Sequence, residues 1–202
     1  MFKGKHILPF LSSRNYIHST QLLELCGQIL SEHDFQPELL SATFFRPLTK
    51  NIEWTLTEAE DTPVGEALFC LKFKEHKAFL TFRNGNETVT ERLFHNEAIL
   101  ITKAVYAPEH IRLVLDAGQL PFAASVALGK ALAIRITGQS EKWLVAQYEM
   151  SHPYFSPPQE YPLEVRLRNR VGGAMIRVDI RLNGELRGFI VYRRIARPLD
   201  DI

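Results

Sequence analysis

The chain has 202 residues, 46% of them apolar, enough to bury one large core or two small ones. Its 24 lysines and arginines against 23 aspartates and glutamates leave a formal net charge of +1, which carries no electrostatic footprint for nucleic acid or for an anionic membrane surface. Two distant cysteines, Cys26 and Cys70, offer neither a disulfide framework nor a CxxC or Cys/His metal spacing.

At the N-terminus, Lys3 and Lys5 followed by Ile7 to Leu11 imitate a signal peptide, but the apolar run is short and Pro9 interrupts it. No stretch has the length of a transmembrane helix. The expectation is a soluble, cytoplasmic protein.

Next along the chain, Ser19 to His33 reads as a helix, with Ser19 or Thr20 as its cap and Leu22, Leu23, Cys26, Ile29 and Leu30 as its apolar stripe. Strands are expected at Leu39 to Arg46, Glu66 to Lys74, Lys77 to Arg83 and Glu87 to Phe94, with Asn84-Gly85 as a hairpin. Glu97 to Tyr106 reads as a further strand linking two halves. A second helix spans Pro121 to Ile136, with Pro121 suited to a first helical position and Gly138 to a stop. Its apolar residues go almost all the way round, the mark of a helix buried on nearly every side. Strands follow at Trp143 to Met150, Tyr161 to Asn169, Ala174 to Leu182 and Glu185 to Arg194, with Pro157 and Pro158 in a loop and Asn183-Gly184 as a second hairpin.

The two series read as one pattern used twice. An offset of 104 residues places Lys5-His6-Ile7 on Glu109-His110-Ile111, the first helix on the second, Leu40 on Leu144, Ala42 on Ala146 and Phe44 on Tyr148. The two Asn-Gly pairs are 99 residues apart, so a few residues of insertion or deletion lie between. A helix buried on all sides and followed by antiparallel strands calls for a curved sheet wrapped around it. The fold class expected is therefore α+β, a tandem pair of such units over residues 1–95 and 96–202.

This arrangement resembles the hotdog superfamily of acyl-thioester enzymes, here as a double hotdog. The segment Leu22-Leu23-Glu24-Leu25-Cys26-Gly27-Gln28 is similar to the start of their central helix. The β-hydroxyacyl-carrier-protein dehydratases carry a Glu-x-x-x-Gln there, and the A-factor biosynthesis family of hotdog repeats a Leu-Leu-Glu-x-x-x-Gln. Trp143 to Tyr192 also resembles the latter family. The resemblance implies a dehydratase or thioesterase acting on an acyl group carried by coenzyme A or by the phosphopantetheine of an acyl carrier protein. It implies no further cofactor and no metal. Glu24 would be catalytic, Gln28 substrate-binding, and His18 or His110 the histidine partner, since in the dehydratases histidine and acid come from different hotdogs. The dehydratases' Gly-His-Phe-Pro loop is absent, and in the second helix Leu128 and Leu132 stand where Glu24 and Gln28 stand in the first, so only one of the two equivalent sites can be acidic.

Dehydration of a 3-hydroxyacyl thioester needs a base for the α proton and an acid for the leaving hydroxyl, which a carboxylate and a histidine can divide. Each candidate also has a plainer reading. Glu24, with Gln28 and Ser31, fits a solvated helix face. His18 fits a capping or surface residue, His6 and His110 fit strand structure, and Asp116 fits a turn. Cys26 and Cys70 read as core. The arginines 166, 168, 170, 177, 181, 187, 193 and 194 fit an outward polar face, or a surface for coenzyme A phosphates or an acidic carrier protein. Two other functions stay open: transfer of a β-ketoacyl group to a small hydroxylated acceptor, and a non-catalytic acyl-binding or assembly subunit. Neither nucleic acid nor membrane is expected as a partner; a homodimer stays open.

Overall fold

The computed structural model describes residues 1–58, 64–94, 97–138, 143–153 and 159–195. The chain divides into two compact units, Met1–His95 and Asn96–Ile202.

Unit 1 comprises β1 (Phe2–His6), β2 (Phe10–Leu11), α1 (Ser19–Glu32), β3 (Leu39–Phe44), β4 (Lys50–Thr57), β5 (Ala67–Lys72), β6 (Lys77–Thr88) and β7 (Arg92–Leu93). Its main sheet runs β1-β4-β6-β5-β3, antiparallel throughout. Period-two alternation turns Leu40, Ala42, Trp54, Leu56, Phe69, Leu71, Leu80 and Phe82 inward, all buried. Helix α1 adds Leu22, Leu23, Leu25, Cys26, Ile29 and Leu30, each at most 2% exposed. Full burial of each such large side chain is worth about 1.5–3 kcal/mol, which fixes the face that α1 turns inward. At the start of the helix, extended His18 is the cap, not Ser19 or Thr20, and its amide donates to Gln21 Oε1 at 2.9 Å. At the end, Asp34 adopts a left-handed φ of 56°, and the amides of Asp34 and Phe35 return to Ser31 O and Leu30 O, a Schellman closure.

Unit 2 comprises α2 (Glu97–Thr102), β8 (Val105–Tyr106), β9 (His110–Leu115), α3 (Phe122–Thr137), β10 (Trp143–Ser151), β11 (Tyr161–Val171), β12 (Met175–Leu182) and β13 (Glu185–Arg194), with its sheet in the order β8-β9-β11-β12-β13-β10. Helix α3 packs against all of β9 to β13. Phe122, Ala124, Val126, Ala127, Leu128, Leu132 and Ala133 are all at most 3% exposed. Gly138, at φ 66°, ends the helix. The Tyr192 hydroxyl donates to Val126 O at 2.8 Å, and a Cβ on Gly129 would lie 2.4 Å from that hydroxyl, so only glycine lets the tyrosine reach the helix.

The two sheets share positions but not connectivity. Starting from the main-sheet strand that precedes each central helix, unit 1 reads β1-β4-β6-β5-β3 and unit 2 reads β9-β11-β12-β13-β10. The last two main-sheet strands of each unit have exchanged places in chain order. In unit 2, β11, β12 and β13 form a simple meander; in unit 1, the connection from β4 to β5 passes over β6, which pairs with both. The single offset read from the sequence therefore holds for the helices and fails for the last strands.

The Asn-Gly pairs show why. Asn183 (φ 51°) and Gly184 (φ 81°) form the tight turn joining β12 to β13. Asn84-Gly85 is no hairpin: it lies inside β6, opposite a register shift in β4 between Lys50 and Ile52. There Asn84 Oδ1 accepts the amides of Thr49 and Lys50 at 2.8 and 3.0 Å. Gly85 admits Asn51, whose Oδ1 a Cβ would approach to 2.3 Å. The turn in unit 1 falls at Phe73–His76 instead, closed by Phe73 N to His76 O at 3.0 Å. Two further expectations are corrected. Glu97 to Tyr106 is a short helix followed by a two-residue strand, α2 and β8, and Lys50–Thr57, unassigned from the sequence, is β4.

On the outer face of unit 2, Glu164 is 7% exposed and accepts from Arg112 Nε at 2.5 Å and Arg166 Nε at 2.9 Å. Burial alone would push its carboxyl up, but the two guanidinium hydrogen bonds and charges outweigh it and hold the carboxyl below its ordinary value. A depressed folded value stabilises above the unfolded carboxylate pKa of about 4.3 and is lost as pH falls through the folded value. Glu164→Gln should therefore melt several degrees below wild type at pH 7. The gap should narrow below about pH 4, where the wild-type carboxyl protonates. Paired thermal melts across pH 3 to 7 check this; a gap independent of pH would contradict it.

Candidate functional site

The sequence candidates on α1 form one row. Thr20, Glu24 and Gln28 follow at four-residue spacing, so their side chains share a stripe of the helix, opposite the face of buried Leu22, Leu25, Cys26 and Ile29. The stripe grades from buried to exposed: Thr20 is 4% exposed, whereas Glu24 and Gln28 are exposed. At its head, His18 is 7% exposed, with Nδ1 2.8 Å from Thr20 Oγ1. Thr20 and Glu24 are separated by about 6 Å of helix rise.

What holds this row is a set of bonds around the helix start. Gln21 accepts the His18 amide and donates through Nε2 to Pro9 O at 2.8 Å. Ile17 N donates to Leu48 O at 2.7 Å. Each link fixes the residues before α1 to another part of unit 1. The sequence reading singled out His18, Glu24 and Gln28 but missed the Thr20 contact and the Gln21 link. The four-residue spacing from Thr20 to Glu24 was the available signal.

The same row in α3 is apolar. At the offset of 104, His18, Thr20, Glu24 and Gln28 correspond to Phe122, Ala124, Leu128 and Leu132, all at most 1% exposed. Two central helices of one plan thus differ along a single stripe, polar in α1 and closed in α3. Buried polar groups do occur in unit 2, but they are spent on packing. Ser125 Oγ donates to Phe122 O at 3.0 Å and lies 3.4 Å from the Tyr148 hydroxyl, whose pKa burial raises.

His110 belongs to unit 2, half-buried at the start of β9 and paired in register with Arg166. Asp116 sits in a turn closed by Gln119 N to Asp116 O at 3.1 Å. Cys26 is core, and Cys70 is half-buried, its thiol pushed up by burial. Four of the arginines are engaged locally: Arg166 on Glu164, Arg177 3.9 Å above the Phe189 ring, Arg181 on Gly184 O and Arg187 on Glu185. A separate open groove of about 800 Å³ in unit 1, lined by Phe45, Arg46, Glu66, Leu68 and Arg83 among others, includes none of the α1 row. Among the described residues, no group of three or more His, Cys, Asp or Glu is placed to hold a metal ion, and no helix is long and apolar enough to cross a membrane.

No protein-family model matches the chain, and no curated protein does. Solved structures do. The tesB protein MAP1729c of Mycobacterium avium subspecies paratuberculosis is similar over 96% of this chain and 92% of its own, at 12% identity and a TM-score of 0.57. An inactive mutant of the CurJ dehydratase is similar over 92% and 85%, at 9% identity and a TM-score of 0.53. A Thermobifida fusca protein provisionally assigned as a thioesterase II is similar over 91% and 88%, at 10% identity and a TM-score of 0.52. At these identities the likeness is one of fold, and the chain has the α+β hotdog fold.

The contrast between α1 and α3 is directly testable. Leu128→Glu puts a carboxylate into a fully enclosed position, which costs several kcal/mol or forces a raised pKa, by the general cost of burying charge. It should lower the melting temperature by ten degrees or more, whereas Glu24→Leu should melt close to wild type. Thermal melts of both variants decide it; equal melting points near wild type would show that α3 is not enclosed.

Proposed function

We propose that this chain is an enzyme acting on acyl thioesters of coenzyme A or an acyl carrier protein, of dehydratase or thioesterase type, with Glu24 as its proton-transferring group. The single observation that supports this reading is the His18, Thr20, Glu24, Gln28 row, kept polar on α1 while its counterpart on α3 is wholly apolar. The likeness in fold to structures described as a thioesterase II and a dehydratase supports it.

The chemistry follows from the groups available. In hydrolysis, Glu24 takes a proton from water as its oxygen bonds to the thioester carbonyl carbon; the C–S bond then breaks and the thiolate leaves with a proton, giving acid and thiol. In dehydration, one group removes the α proton and the other protonates the departing 3-hydroxyl, forming the enoyl thioester and water. His18 is the partner proposed for Glu24, since it heads the same row; His110 is the alternative. Gln28, one turn beyond Glu24, is proposed to hold the substrate by its amide.

One observation favours a second reading, a non-catalytic acyl-binding or assembly subunit: Glu24 is exposed, as on a solvated helix face. Activity separates the two. A panel of acyl thioesters of varied chain length and carrier, followed by thiol release and by enoyl absorbance, should show turnover by wild type. A β-ketoacyl thioester with a hydroxylated acceptor belongs in the same panel. Glu24→Gln should lower turnover about a hundredfold to ten-thousandfold with an unchanged melting point, because shape is kept and proton transfer lost. Combining it with replacement of the true histidine partner, His18→Gln or His110→Gln, should cost far less than the product of the single losses. Full activity in Glu24→Gln would remove Glu24 from the mechanism, and absence of wild-type activity on every member of the panel would establish the second reading over the first.

A further inference from the structure

We infer that Arg92 is the positioning residue for the His18 end of this row, acting through the segment that precedes α1. The inference rests on the site proposed above but stands on its own geometry. Arg92 lies in β7, far along the chain from α1, yet its guanidinium hydrogen bonds go to residues just ahead of the helix. Its Nη1 donates to Ser12 O at 3.1 Å and Arg14 O at 2.8 Å, and its Nη2 donates to Asn15 Oδ1 at 2.8 Å. The guanidinium carbon lies 5.6 Å from the centre of the Phe10 ring. One planar fork thus ties three residues of the loop at once, which a lysine's single ammonium cannot reproduce.

The backbone beneath the fork is fastened as well. Strand β2 pairs in parallel with β7, Phe10 with Arg92 and Leu11 with Leu93, through Phe10 N to Glu91 O at 2.9 Å and Ser12 N to Leu93 O at 2.8 Å. Ser12 adopts a left-handed φ of 55°, a conformation that L side chains other than Asn and Asp rarely keep unless the surroundings dictate it. From Ser12 the chain runs only six residues to His18, through Asn15 held by Arg92 and Ile17 held by Leu48. The imidazole is then set by Thr20, and its amide by Gln21, which is itself tied back to Pro9 just before β2. Pro9, Ser12, Arg14, Asn15 and Ile17 are therefore fixed points of one short path, and Arg92 supplies three of its ties from outside.

This arrangement distinguishes positioning from general stability. An exposed arginine whose bonds all go to one surface loop contributes modestly to the melting temperature. If it sets where His18 sits, its removal must show at the imidazole. The experiment uses the full chain labelled with nitrogen-15 histidine, with the His18 signals assigned by their loss in His18→Gln. In wild type, the contact with Thr20 should give His18 two well-separated ring-nitrogen shifts, those of one tautomer. In Arg92→Ala these shifts should move toward the average of a tautomer mixture, while the melting temperature falls by only a few degrees. Arg92→Lys should show the same change in lesser degree, and Asn15→Ala a smaller one still. Arg83→Ala removes a comparable arginine that donates to a single carbonyl, Val64 O at 2.5 Å, and should leave the His18 signals unchanged.

Activity is read alongside. Arg92→Ala should lower kcat about ten- to a hundredfold with a smaller change in KM, the scale on which misplacement of a reacting group acts. Unchanged His18 shifts in Arg92→Ala, Arg92→Lys and Asn15→Ala would overturn the inference, as would an equal disturbance from Arg83→Ala. Should Arg92→Ala fail to fold, the other two variants decide. Wild-type inactivity on all acyl thioesters would sink the proposed function and leave the histidine result to be read by itself, so the two failures are distinguishable.

Discussion

Enclosure of a helix by its own sheet is the constraint on which the rest depends. A helix that packs on a sheet must give that sheet an apolar face, and what remains of its circumference decides what else it can do. Helix α3 gives almost everything. It packs against all of β9 to β13, and its only polar inward group, Ser125, is satisfied by Phe122 O with the Tyr148 hydroxyl close by. Helix α1 buries Leu22, Leu23, Leu25, Cys26, Ile29 and Leu30 and keeps one strip for Thr20, Glu24 and Gln28. Charge on that strip costs little because it need not enter the core.

How much of this was legible depended on whether the signal was local. The helices were readable because burial imposes a period on consecutive residues: Leu22 to Leu30 on one face, Ala123 to Ile134 nearly all round. Strand β12 was readable from the alternation of Ile176, Val178, Ile180 and Leu182. Strand β4 was not, because its opening Lys50-Asn51 is polar and its register is set by β6 across the sheet. Asn84-Gly85 misled for the same reason. The dipeptide that turns a chain at Asn183-Gly184 is, at Asn84-Gly85, a hydrogen-bonded irregularity inside a long strand, and only the partner strand tells the two apart.

For the site, Glu24 and Gln28 could be picked out from a short motif, and their place on one stripe follows from helical geometry. A capping role was open to His18 from its place before the helix, but its bond to Thr20 and the bonds from Arg92 could not be read. These join residues through space, and an arginine in a two-residue strand carries no mark of the loop it holds. The exchanged order of the last two strands is also invisible to an offset: in each unit the same positions are filled by antiparallel strands, whichever segment arrives first. One plan thus tolerates two connectivities, which fits a core defined by where apolar side chains point and not by the route between them.

The row on α1, buried at His18 and Thr20 and open at Glu24 and Gln28, is proposed as the place where substrate meets the protein. Carbodiimide footprinting with mass spectrometry tests it most directly. Glu24 in the row and Glu75 in the turn at Phe73–His76 are both exposed, so the second is an internal control. A stable thioether analogue of an acyl thioester should protect Glu24 from labelling in a saturable manner and leave Glu75 unchanged. Equal labelling of Glu24 at every concentration of a panel of such analogues would contradict the claim.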